Sequence, residues 1–351
     1  MDCSSPLHWL PRHTAAPDAP QLQELPLATL YLTERCNSRC TSCSHWRTGR
    51  HDMSVDAARR LLPGLAALGT REVLVSGGEP LLHPHWAEIA QLLRAQGLRL
   101  WLLTAGLALA KHATAVAALF DSVTVSLDGA TAQTYRAIRG VDGFDAVCAG
   151  IHAVAAVGRP AGLRVTVQRG NFRELPQLVE LARELGAANI SFLPADVSAK
   201  QAFGRSEDDA VADALALRAE DLPVLAHVLD RIEHEHAKEF ACGFILESPA
   251  KLGRVLTHAR AVRGLGPFPA VRCNAPEFSA VIESDGRVRP CFFIPGPPGP
   301  ESNALIDELP QALNTPAMRR LRADIRAHRR PECERCVCAK WREPAPVQVR
   351  A

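Results

Sequence analysis

The sequence predicts an α/β fold: a partial (β/α)6 TIM-like barrel followed by a small C-terminal domain built from a β-hairpin and a helix. Short apolar runs alternate six times with amphipathic segments between residues 27 and 195, which is the pattern of a mostly parallel sheet. The apolar runs are nearly continuous, as expected for strands covered on both faces. Polar or glycine-rich residues follow most of them, and in (β/α) barrels the loops at the strand C-termini carry the function. A doubly wound sheet gives the same alternation and stays open as the alternative.

The predicted elements follow in chain order. Strands are predicted at residues 27–33, 72–78, 98–106, 122–129, 163–170 and 189–194. Helices are predicted at residues 54–69, 85–97, 112–120, 174–186 and 250–264, with further helical material before Gly158 and in residues 199–240. Ser54 is the expected N-cap of the first helix and Gly69 its expected stop. Near the C-terminus, FSAVIESDGRVRPCFF predicts a hairpin that turns at Asp285-Gly286.

Composition shifts divide the chain into three predicted segments. Residues 1–26 are proline-rich and are expected to form a mobile leader. Residues 27–265 are expected to form the core barrel with a helical extension. GPFP at residues 266–269 marks the boundary to the C-terminal domain, which is predicted to span residues 266–345.

Charge and cysteine usage exclude several classes of protein. The chain has 351 residues and a formal net charge of +2, which argues against a nucleic-acid partner. It has no run of eighteen apolar residues and no secretory signal, so neither a membrane span nor secretion is expected. Eight of its eleven cysteines fall in two groups, one near each end. In a reducing cytosol, clustered thiols are metal or iron–sulfur ligands, so we expect a cytoplasmic protein.

Three cysteines lie in one loop directly after the first predicted strand. Cys36, Cys40 and Cys43 have the spacing C-x3-C-x2-C. Ordinary [4Fe–4S] electron carriers use four cysteines, so three thiolates suit a cluster in which one iron has no protein ligand. Structural zinc is normally four-coordinate, which leaves a catalytic zinc with three cysteines as the alternative. The loop by itself favours an iron–sulfur cluster.

A glycine pair ends the second predicted strand, in the stretch VLVSGGEP. Gly77 and Gly78 have no side chain, so the backbone can come close to a ligand there. Glu79 can accept hydrogen bonds from an ammonium group. A plain turn is the alternative for this tripeptide alone, but it follows the three-cysteine loop by one βα unit. That context favours a binding site.

Taken together, Cys36, Cys40, Cys43 and the GGEP segment at residues 77–80 resemble the radical SAM superfamily over residues 27–195. The resemblance implies a [4Fe–4S] cluster coordinated by the three cysteines and by S-adenosylmethionine. It implies reductive cleavage of S-adenosylmethionine to a 5′-deoxyadenosyl radical that abstracts hydrogen from a substrate. The electron would come from an external one-electron donor such as flavodoxin or ferredoxin. The cofactor carries this chemistry, while the protein supplies geometry and excludes water.

The resemblance also implies a set of contacts with S-adenosylmethionine. The expected contacts are Gly78 and Glu79 for the amino group, Ser126, Asp128 and Arg139 for the carboxylate and ribose, Gln168 for the ribose and Leu193 for the adenine. Four of these positions also have an explanation that involves no ligand. The alternatives are a strand-end turn for Ser126 and Asp128, a solvated cation at a helix end for Arg139 and a core leucine for Leu193.

Two positions depart from the superfamily pattern. Relatives usually carry an aromatic residue just before the third cysteine, where this chain has Ser42. Trp46 or His45 is the candidate to compensate. Relatives often read TNG after the third strand, where this chain has Thr104-Ala105-Gly106. Neither change removes an iron ligand, so both concern the packing of the nucleoside.

The second cysteine group lies near the C-terminus. Cys273 and Cys291 follow the pattern C-x12-G-x4-C, and Cys333 and Cys336 form a CxxC that Cys338 follows. A hairpin brings its two ends together, so the first two cysteines can share one site that the CxxC completes. The pattern resembles the SPASM and twitch regions, which implies a second, auxiliary [4Fe–4S] cluster in a small Fe–S domain. Cys338 in place of Cys336, and a zinc ribbon, stay open as alternatives.

A radical initiator combined with a closed auxiliary cluster implies oxidation of the substrate. The resemblance suggests dehydrogenation or bond formation on a specialised small molecule such as an aminocyclitol. A maturase of a ribosomally made peptide is the alternative among enzymes. A non-catalytic zinc-binding protein is the alternative outside enzymes, and it leaves the GGEP segment unexplained. The sequence names no general base.

Overall fold

Eight strands form one sheet at the centre of the protein. They are β1 (Leu27–Thr33), β2 (Glu72–Gly77), β3 (Arg99–Thr104), β4 (Ser122–Ser126), β5 (Gly162–Val167), β6 (Asn189–Pro194), β7 (Ser279–Ile282) and β8 (Val288–Arg289). These bounds come from a computed structural model, which describes residues 21–205 and 211–343. The strand order is β6-β5-β4-β3-β2-β1-β7-β8, and β6 does not pair with β8. The sheet is therefore open, and the α/β prediction is confirmed.

The order of the first six strands separates a partial barrel from a doubly wound sheet. Strands β1 to β6 are parallel and adjacent in chain order, whereas the order of a doubly wound sheet reverses at a switch point. Because parallel crossovers are right-handed, an order without reversal places the connecting helices on one side. The other side is left as a concave inner face, which makes the sheet a partial barrel.

The connections and extensions are mostly helical. The helices are α1 (His45–Thr48), α2 (Val55–Ala67), α3 (Trp86–Ala95), α4 (Leu109–Leu119), α5 (Ala132–Arg139), α6 (Phe144–Ala156), α7 (Leu175–Glu184), α8 (Val211–Leu215), α9 (Leu222–Glu235), α10 (Ala237–Ala241), α11 (Pro249–Val262), α12 (Leu309–Leu313), α13 (Pro316–Arg326) and α14 (Pro331–Glu334). Ser54 caps α2 as predicted, because its hydroxyl accepts from the Ala57 amide at 3.0 Å. Among the described residues, none of these helices combines the length and apolar character that crossing a membrane requires.

Burial alternates along the strands and defines the two faces of the sheet. In β5, the side chains of Leu163, Val165 and Val167 are at most 2% exposed and face the helices. Arg164 and Thr166 lie between them and are half-buried. Because successive side chains of a strand point to opposite faces, these two belong to the inner face. The helix-facing side is thus a packed apolar core, and the inner face at β5 is polar and accessible.

The C-terminal hairpin continues the barrel sheet. Strand β7 pairs in parallel with β1, with Leu30 opposite Ile282, and β8 pairs antiparallel with β7. The turn lies at Asp285-Gly286 as predicted, and Gly286 has φ 88°, a conformation that favours glycine. The predicted hairpin is therefore present, and it extends the core sheet instead of standing apart from it. The domain boundaries at residues 26 and 265 stay predictions.

The described part of the predicted leader is packed against the core. Leu25 is fully buried, and its amide donates to the Leu68 carbonyl at 2.8 Å. The Leu22 amide donates to Asn314 Oδ1 at 2.7 Å. Residues 21–26 are thus held by apolar burial and hydrogen bonds, unlike the mobile segment that we expected. Residues 1–20 of the predicted leader lie outside the described residues.

Candidate active site and auxiliary cluster site

The cysteine loop, residues 34–44, leaves β1 at the C-terminal edge of the sheet and packs on the end of α5. The Arg39 amide donates to the Arg139 carbonyl at 2.8 Å, and the Thr41 amide donates to the Ile138 carbonyl at 3.1 Å. Gly140 allows this approach, since it has φ 68° and a Cβ there would lie 2.4 Å from the Arg39 oxygen. The end of α5 therefore fixes the path of the cysteine loop.

The three thiols of this loop lie within electrostatic range of one another. Burial raises the pKa of the Cys36 thiol to about 11 and that of the Cys43 thiol to about 12. The Ser38 amide donates to Cys36 Sγ at 3.4 Å, and the His45 amide hydrogen-bonds the Cys43 sulfur. Such amides favour the thiolate, while burial keeps the free thiol protonated. Metal binding must therefore displace these protons, as it does at other thiolate sites.

The glycine pair joins the β2 loop to the cysteine loop. The Gly78 amide donates to the Thr33 carbonyl at 2.7 Å, and the Glu79 amide donates to the Arg35 carbonyl at 2.8 Å. Gly77 has φ 121°, and a Cβ on Gly78 would lie 2.2 Å from the Arg35 oxygen. Glycine is thus required by the close approach of the two loops. The expected close approach to a ligand stays a prediction.

The Glu79 carboxylate ties the β2 loop to the β3 loop. Its oxygens accept from the Thr104 hydroxyl at 2.8 and 3.0 Å, from the Ala105 amide at 2.6 Å and from the Leu81 amide at 3.0 Å. The residue is fully buried. Ala105, which stands where relatives often have asparagine, contributes through its backbone. Contact of this carboxylate with an ammonium group stays a prediction.

Arg139 is the cation at the centre of the site. It is 8% exposed, so the alternative of a solvated cation at a helix end is wrong. Its Nη1 lies 3.1 Å from Asp128 Oδ2, and among the described residues its buried Nε has no hydrogen-bond partner. Burial alone would lower the pKa of Arg139, but the thiolate form of Cys40 and the Asp128 carboxylate raise it. A guanidinium beside the cysteine loop and with an unused donor fits an anionic ligand.

The other predicted contacts lie along the same edge of the sheet. Asp128 Oδ1 accepts from the Thr166 amide at 2.7 Å, and Gln168 Nε2 donates to the Thr166 carbonyl at 3.4 Å. Leu193 stands opposite Thr166 on β6, and Ser126 ends β4. The structure therefore brings the predicted residues to the C-terminal edge of the sheet, where the cysteine loop also lies. Their roles toward S-adenosylmethionine stay predictions.

The aromatic residues after the third cysteine pack against the cysteine loop. Trp46 Nε1 donates to the Cys43 carbonyl at 2.9 Å. The His45 ring meets the Tyr31 ring edge to face, with centroids 6.0 Å apart. Ser42 is half-buried and carries no ring. Trp46 therefore supports the loop itself, and its expected compensation for Ser42 stays a prediction.

The five C-terminal cysteines come together around one cavity. They are Cys273, Cys291, Cys333, Cys336 and Cys338. Cys333 and Cys336 each lie within electrostatic range of both Cys273 and Cys291. Cys338 lies within electrostatic range of Cys336. Burial raises the pKa of the Cys333 thiol to about 12. The Cys338 amide donates to Cys336 Sγ at 3.4 Å. The assignment of Cys336 as the fourth ligand stays a prediction.

Sequence reasoning missed the residue that ties the C-terminal tail to Cys273. Asn274 Nδ2 donates to the Arg342 carbonyl at 2.7 Å, and the Arg342 amide donates to Asn274 Oδ1 at 2.9 Å. The Asn274 amide also donates to the Lys340 carbonyl at 3.0 Å. The tail that carries the CxxC is thus fastened beside Cys273. A lone asparagine gave no periodic signal that could have revealed it.

A second missed residue, Arg289, clamps the loop that carries Cys291. Arg289 is 6% exposed, and its Nη1 lies 3.1 Å from Glu283 Oε1. It also donates to the carbonyls of Phe292 and Ile294, each at 3.3 Å. These bonds hold the backbone around Cys291 in one path. The sequence shows an arginine two residues before a cysteine, which by itself is no signal.

One cavity joins the inner face of the sheet to the C-terminal cysteines. Its inner-face walls are Leu27 and Thr29 of β1, Leu74 of β2 and Trp101 of β3, and the five cysteines of the auxiliary group complete it. Strand register confirms the shared face, since Thr29 is opposite Leu74 and Leu74 is opposite Trp101. We call the space over the inner face the lumen. The auxiliary site therefore borders the lumen directly.

Neither cysteine group is arranged around a single metal ion. Within residues 21–205 and 211–343, no three cysteine, histidine or acidic side chains converge closely enough to hold one ion. A [4Fe–4S] cluster takes one cysteine at each of several irons, so its ligands stand farther apart than those of one zinc. Buried thiols with amide donors and a nearby cation fit an anionic cluster. The residues present at the cysteine loop therefore fit an iron–sulfur cluster.

Comparison with known proteins agrees with this geometry. A family model of the radical SAM superfamily matches residues 30–186, and a model of the SPASM iron–sulfur cluster-binding domain matches residues 273–337. The structure of Streptococcus suis SuiB bound to S-adenosylmethionine aligns with a TM-score of 0.65 at 15% identity, covering 86% of this chain and 68% of SuiB. At that identity the likeness shows the fold.

Curated relatives share mainly the core. The AdoMet-dependent heme synthase of Methanosarcina barkeri is 35% identical over 162 residues, 44% of this chain and 46% of that protein. The PqqA peptide cyclase of Methylobacterium nodulans is 34% identical over 165 residues, 45% of this chain and 44% of that protein. The probable GTP 3′,8-cyclase of Methanopyrus kandleri is 28% identical over 287 residues, 80% of this chain and 86% of that protein. The matches to the first two span less than half of their length.

Two features define the class of protein. A loop with only three cysteines lies at the C-terminal edge of a partial barrel, and a second group of five cysteines lies beside the lumen. The chain carries a radical SAM domain at residues 30–186 and a SPASM iron–sulfur cluster-binding domain at residues 273–337. Together they match a radical SAM enzyme with a C-terminal SPASM-type region. The cofactors of the chain are accordingly a [4Fe–4S] cluster with S-adenosylmethionine and an auxiliary iron–sulfur cluster. These two domains confirm the family prediction.

Proposed function

We propose that the chain is an oxidoreductase-type radical SAM enzyme that oxidises a substrate held in the lumen, by dehydrogenation or bond formation. One observation carries the proposal: a single cavity is lined both by inner-face residues and by the five C-terminal cysteines. A substrate in the lumen therefore borders the auxiliary site. A cluster with only a structural role would not need to line the cavity that holds the substrate.

The cofactors have defined places in this proposal. Cys36, Cys40 and Cys43 would hold the first cluster, and Cys273, Cys291, Cys333 and Cys336 the auxiliary cluster. When bound, the first cluster supplies the electron that cleaves S-adenosylmethionine, and the auxiliary cluster supplies a one-electron acceptor beside the lumen. An external donor such as flavodoxin or ferredoxin would reduce the first cluster.

The chain's own residues position the reactants and exclude water. Arg139, neutralised in part by Asp128 at 3.1 Å, offers its unused Nε to the carboxylate of S-adenosylmethionine. Glu79 and the glycine pair hold the β2 and cysteine loops in contact, so the C-terminal edge is preorganised before the cofactor binds. The core side of the sheet is packed with apolar side chains, which closes that route to water.

A hydroxyl-bearing small molecule is the substrate class that we propose. Thr124, Ser126, Thr166 and Ser191 carry hydroxyls on the inner face, and register pairs Ser126 with Arg164 and Arg164 with Ser191. Such a row suits hydrogen bonds to a polar ring, as on a cyclitol. A residue of a ribosomally made peptide is the second candidate. The 34% identity to a PqqA peptide cyclase over the core supports it.

The test is product analysis of anaerobically reconstituted enzyme with S-adenosylmethionine and dithionite. Neutral, cationic and acidic cyclitols form one panel, and precursor peptides form another. We expect formation of 5′-deoxyadenosine and loss of two hydrogens from one panel member. The double variant Cys273→Ala/Cys291→Ala should form 5′-deoxyadenosine without the oxidised product. The Cys148→Ala variant is the matched control, because Cys148 lies in α6 away from both sites.

Retention of the oxidised product by the double variant would show that the auxiliary site does not take part in oxidation. Absence of 5′-deoxyadenosine from the wild-type enzyme would contradict the radical SAM activity itself. The two outcomes are separate, because the first concerns the C-terminal cysteines and the second concerns the cysteine loop.

A further inference from the structure

Arg164 stands in a row of polar side chains on the inner face of the sheet. Ser126 of β4 is opposite Arg164 of β5, and Arg164 is opposite Ser191 of β6. Opposite residues of neighbouring parallel strands share a face, so these three side chains form a row. Thr124 of β4, two residues before Ser126, is opposite Leu103 of β3, which stands two residues after Trp101. The row therefore lies on the same face as the lumen wall at Trp101.

Among the described residues, the guanidinium of Arg164 has no partner on this face. Its Nε is buried and makes no hydrogen bond, and no carboxylate in the described part of the chain lies within ion-pair distance of its guanidinium. Leaving a buried polar group unsatisfied costs stability. Other buried arginines differ: Arg139 pairs with Asp128, and Arg289 pairs with Glu283. A half-buried guanidinium that the fold leaves unpaired is available to a ligand.

One acid, Glu247, interacts with this cation without forming an ion pair with it. The Glu247 carboxylate instead accepts from the Phe192 amide at 2.8 Å. Lys251 adds a second positive charge near Glu247. This part of the lumen consequently favours a negative charge.

We propose that Arg164 binds an anionic group of the substrate, a carboxylate or a phosphate, inside the lumen. The planar fork of a guanidinium matches both groups in bidentate geometry. The hydroxyls of Ser126 and Thr124 stand beside it as further donors. This inference rests on the proposed function for the location of the substrate, and it narrows the class. An acidic substrate fits the site, whereas a cationic aminocyclitol would meet an unpaired positive charge.

Thermal melting of the reconstituted enzyme tests whether Arg164 serves ligand binding or the stability of the fold. Removing an unsatisfied buried donor relieves a cost, so Arg164→Met should melt at the same temperature as wild type or higher. Arg289→Met is the matched control. It should melt lower because it removes the buried ion pair with Glu283 and the hydrogen bonds to three carbonyls. A loss for Arg164→Met as large as that for Arg289→Met would overturn the proposal, since it would make Arg164 structural.

Ligand-induced shifts complete the test. Glutarate and inorganic phosphate serve as separate probes for the two anion sources, and neutral glutaramide serves as the control ligand. At least one anion should raise the melting temperature of the wild type, with no shift from glutaramide, and Arg164→Met should abolish the anion shift. No shift with either anion, or an equal shift in the variant, would overturn the inference. These readouts need no turnover, so they are independent of whether the wild type forms 5′-deoxyadenosine.

Discussion

Arg139 and Asp128 form a buried ion pair with Nη1 and Oδ2 3.1 Å apart, and the same arginine accepts the Arg39 amide through its carbonyl. One residue therefore anchors the cysteine loop by its backbone and faces the cysteines with its side chain. Asp128 in turn accepts from the Thr166 amide. The ion pair thus connects the cysteine loop, α5 and β5.

Replacing Arg139 with methionine should destabilise the protein strongly. The change leaves Asp128 buried without its partner, and breaking a buried pair costs about 3–5 kcal/mol. Chemical denaturation of the reconstituted protein, followed by circular dichroism, measures the loss. Arg231→Met is the control, because Arg231 pairs with Glu235 on the exposed face of α9 and should change stability little. Equal stability of the two variants would refute the role of the buried pair.

Gly78→Ala should prevent assembly of the first cluster. A Cβ at this position would lie 2.2 Å from the Arg35 carbonyl oxygen and 2.6 Å from that of Glu34, so the cysteine loop must move. Iron content and the visible absorption after reconstitution report the effect. Gly253→Ala is the control, since nothing lies near a Cβ there and alanine is the better helix former. A Gly78→Ala protein with the iron content of the wild type would contradict the close approach.

Asn274→Ala should lower auxiliary-cluster content without affecting the first cluster. It removes the reciprocal hydrogen bonds with Arg342 that hold the tail beside Cys273. Asn314→Ala is a matched control, because Asn314 makes the same reciprocal pair with the Leu22 backbone away from the cysteines. Iron and sulfide quantification distinguishes them, and a full complement of iron in Asn274→Ala would reject this role.

Cys336→Ser and Cys338→Ser should behave differently. Cys336 lies within electrostatic range of Cys273 and Cys291 and accepts the Cys338 amide, so its replacement should cost the auxiliary cluster. Cys338→Ser keeps that amide and should retain the cluster. Electron paramagnetic resonance of the reduced proteins measures the auxiliary signal. The reverse result would assign the fourth ligand to Cys338.

Local patterns predicted the strands well, because a strand and the apolar run that predicts it occupy the same few consecutive residues. Strand β1 occupies Leu27–Thr33, as its apolar run predicts, and β6 occupies Asn189–Pro194. The end of β4 at Ser126 was placed three residues too late, since the apolar Leu127 continues the strand pattern beyond the last ladder residue. The hairpin turn at Gly286 was found because a positive φ requires a specific residue type.

Contacts between distant segments were beyond the reach of the sequence. Nothing in SAVI indicates that β7 pairs with β1, because the pairing joins residues some 250 positions apart. Arg139 could be read as a solvated cation until its burial was known. Arg164 gave no signal, since an arginine among apolar residues says nothing about the missing partner. The cysteine loops were found because metal ligation imposes its spacing on the sequence itself.

We propose that two separate cysteine sets hold two clusters with different tasks. Iron quantification and electron paramagnetic resonance of the Cys36→Ala/Cys40→Ala/Cys43→Ala variant test it most directly, with and without S-adenosylmethionine. We expect that the variant keeps one cluster, that S-adenosylmethionine does not change its signal, and that no 5′-deoxyadenosine forms. A variant that lost all its iron, or that still responded to S-adenosylmethionine, would contradict the division into an open and a closed site.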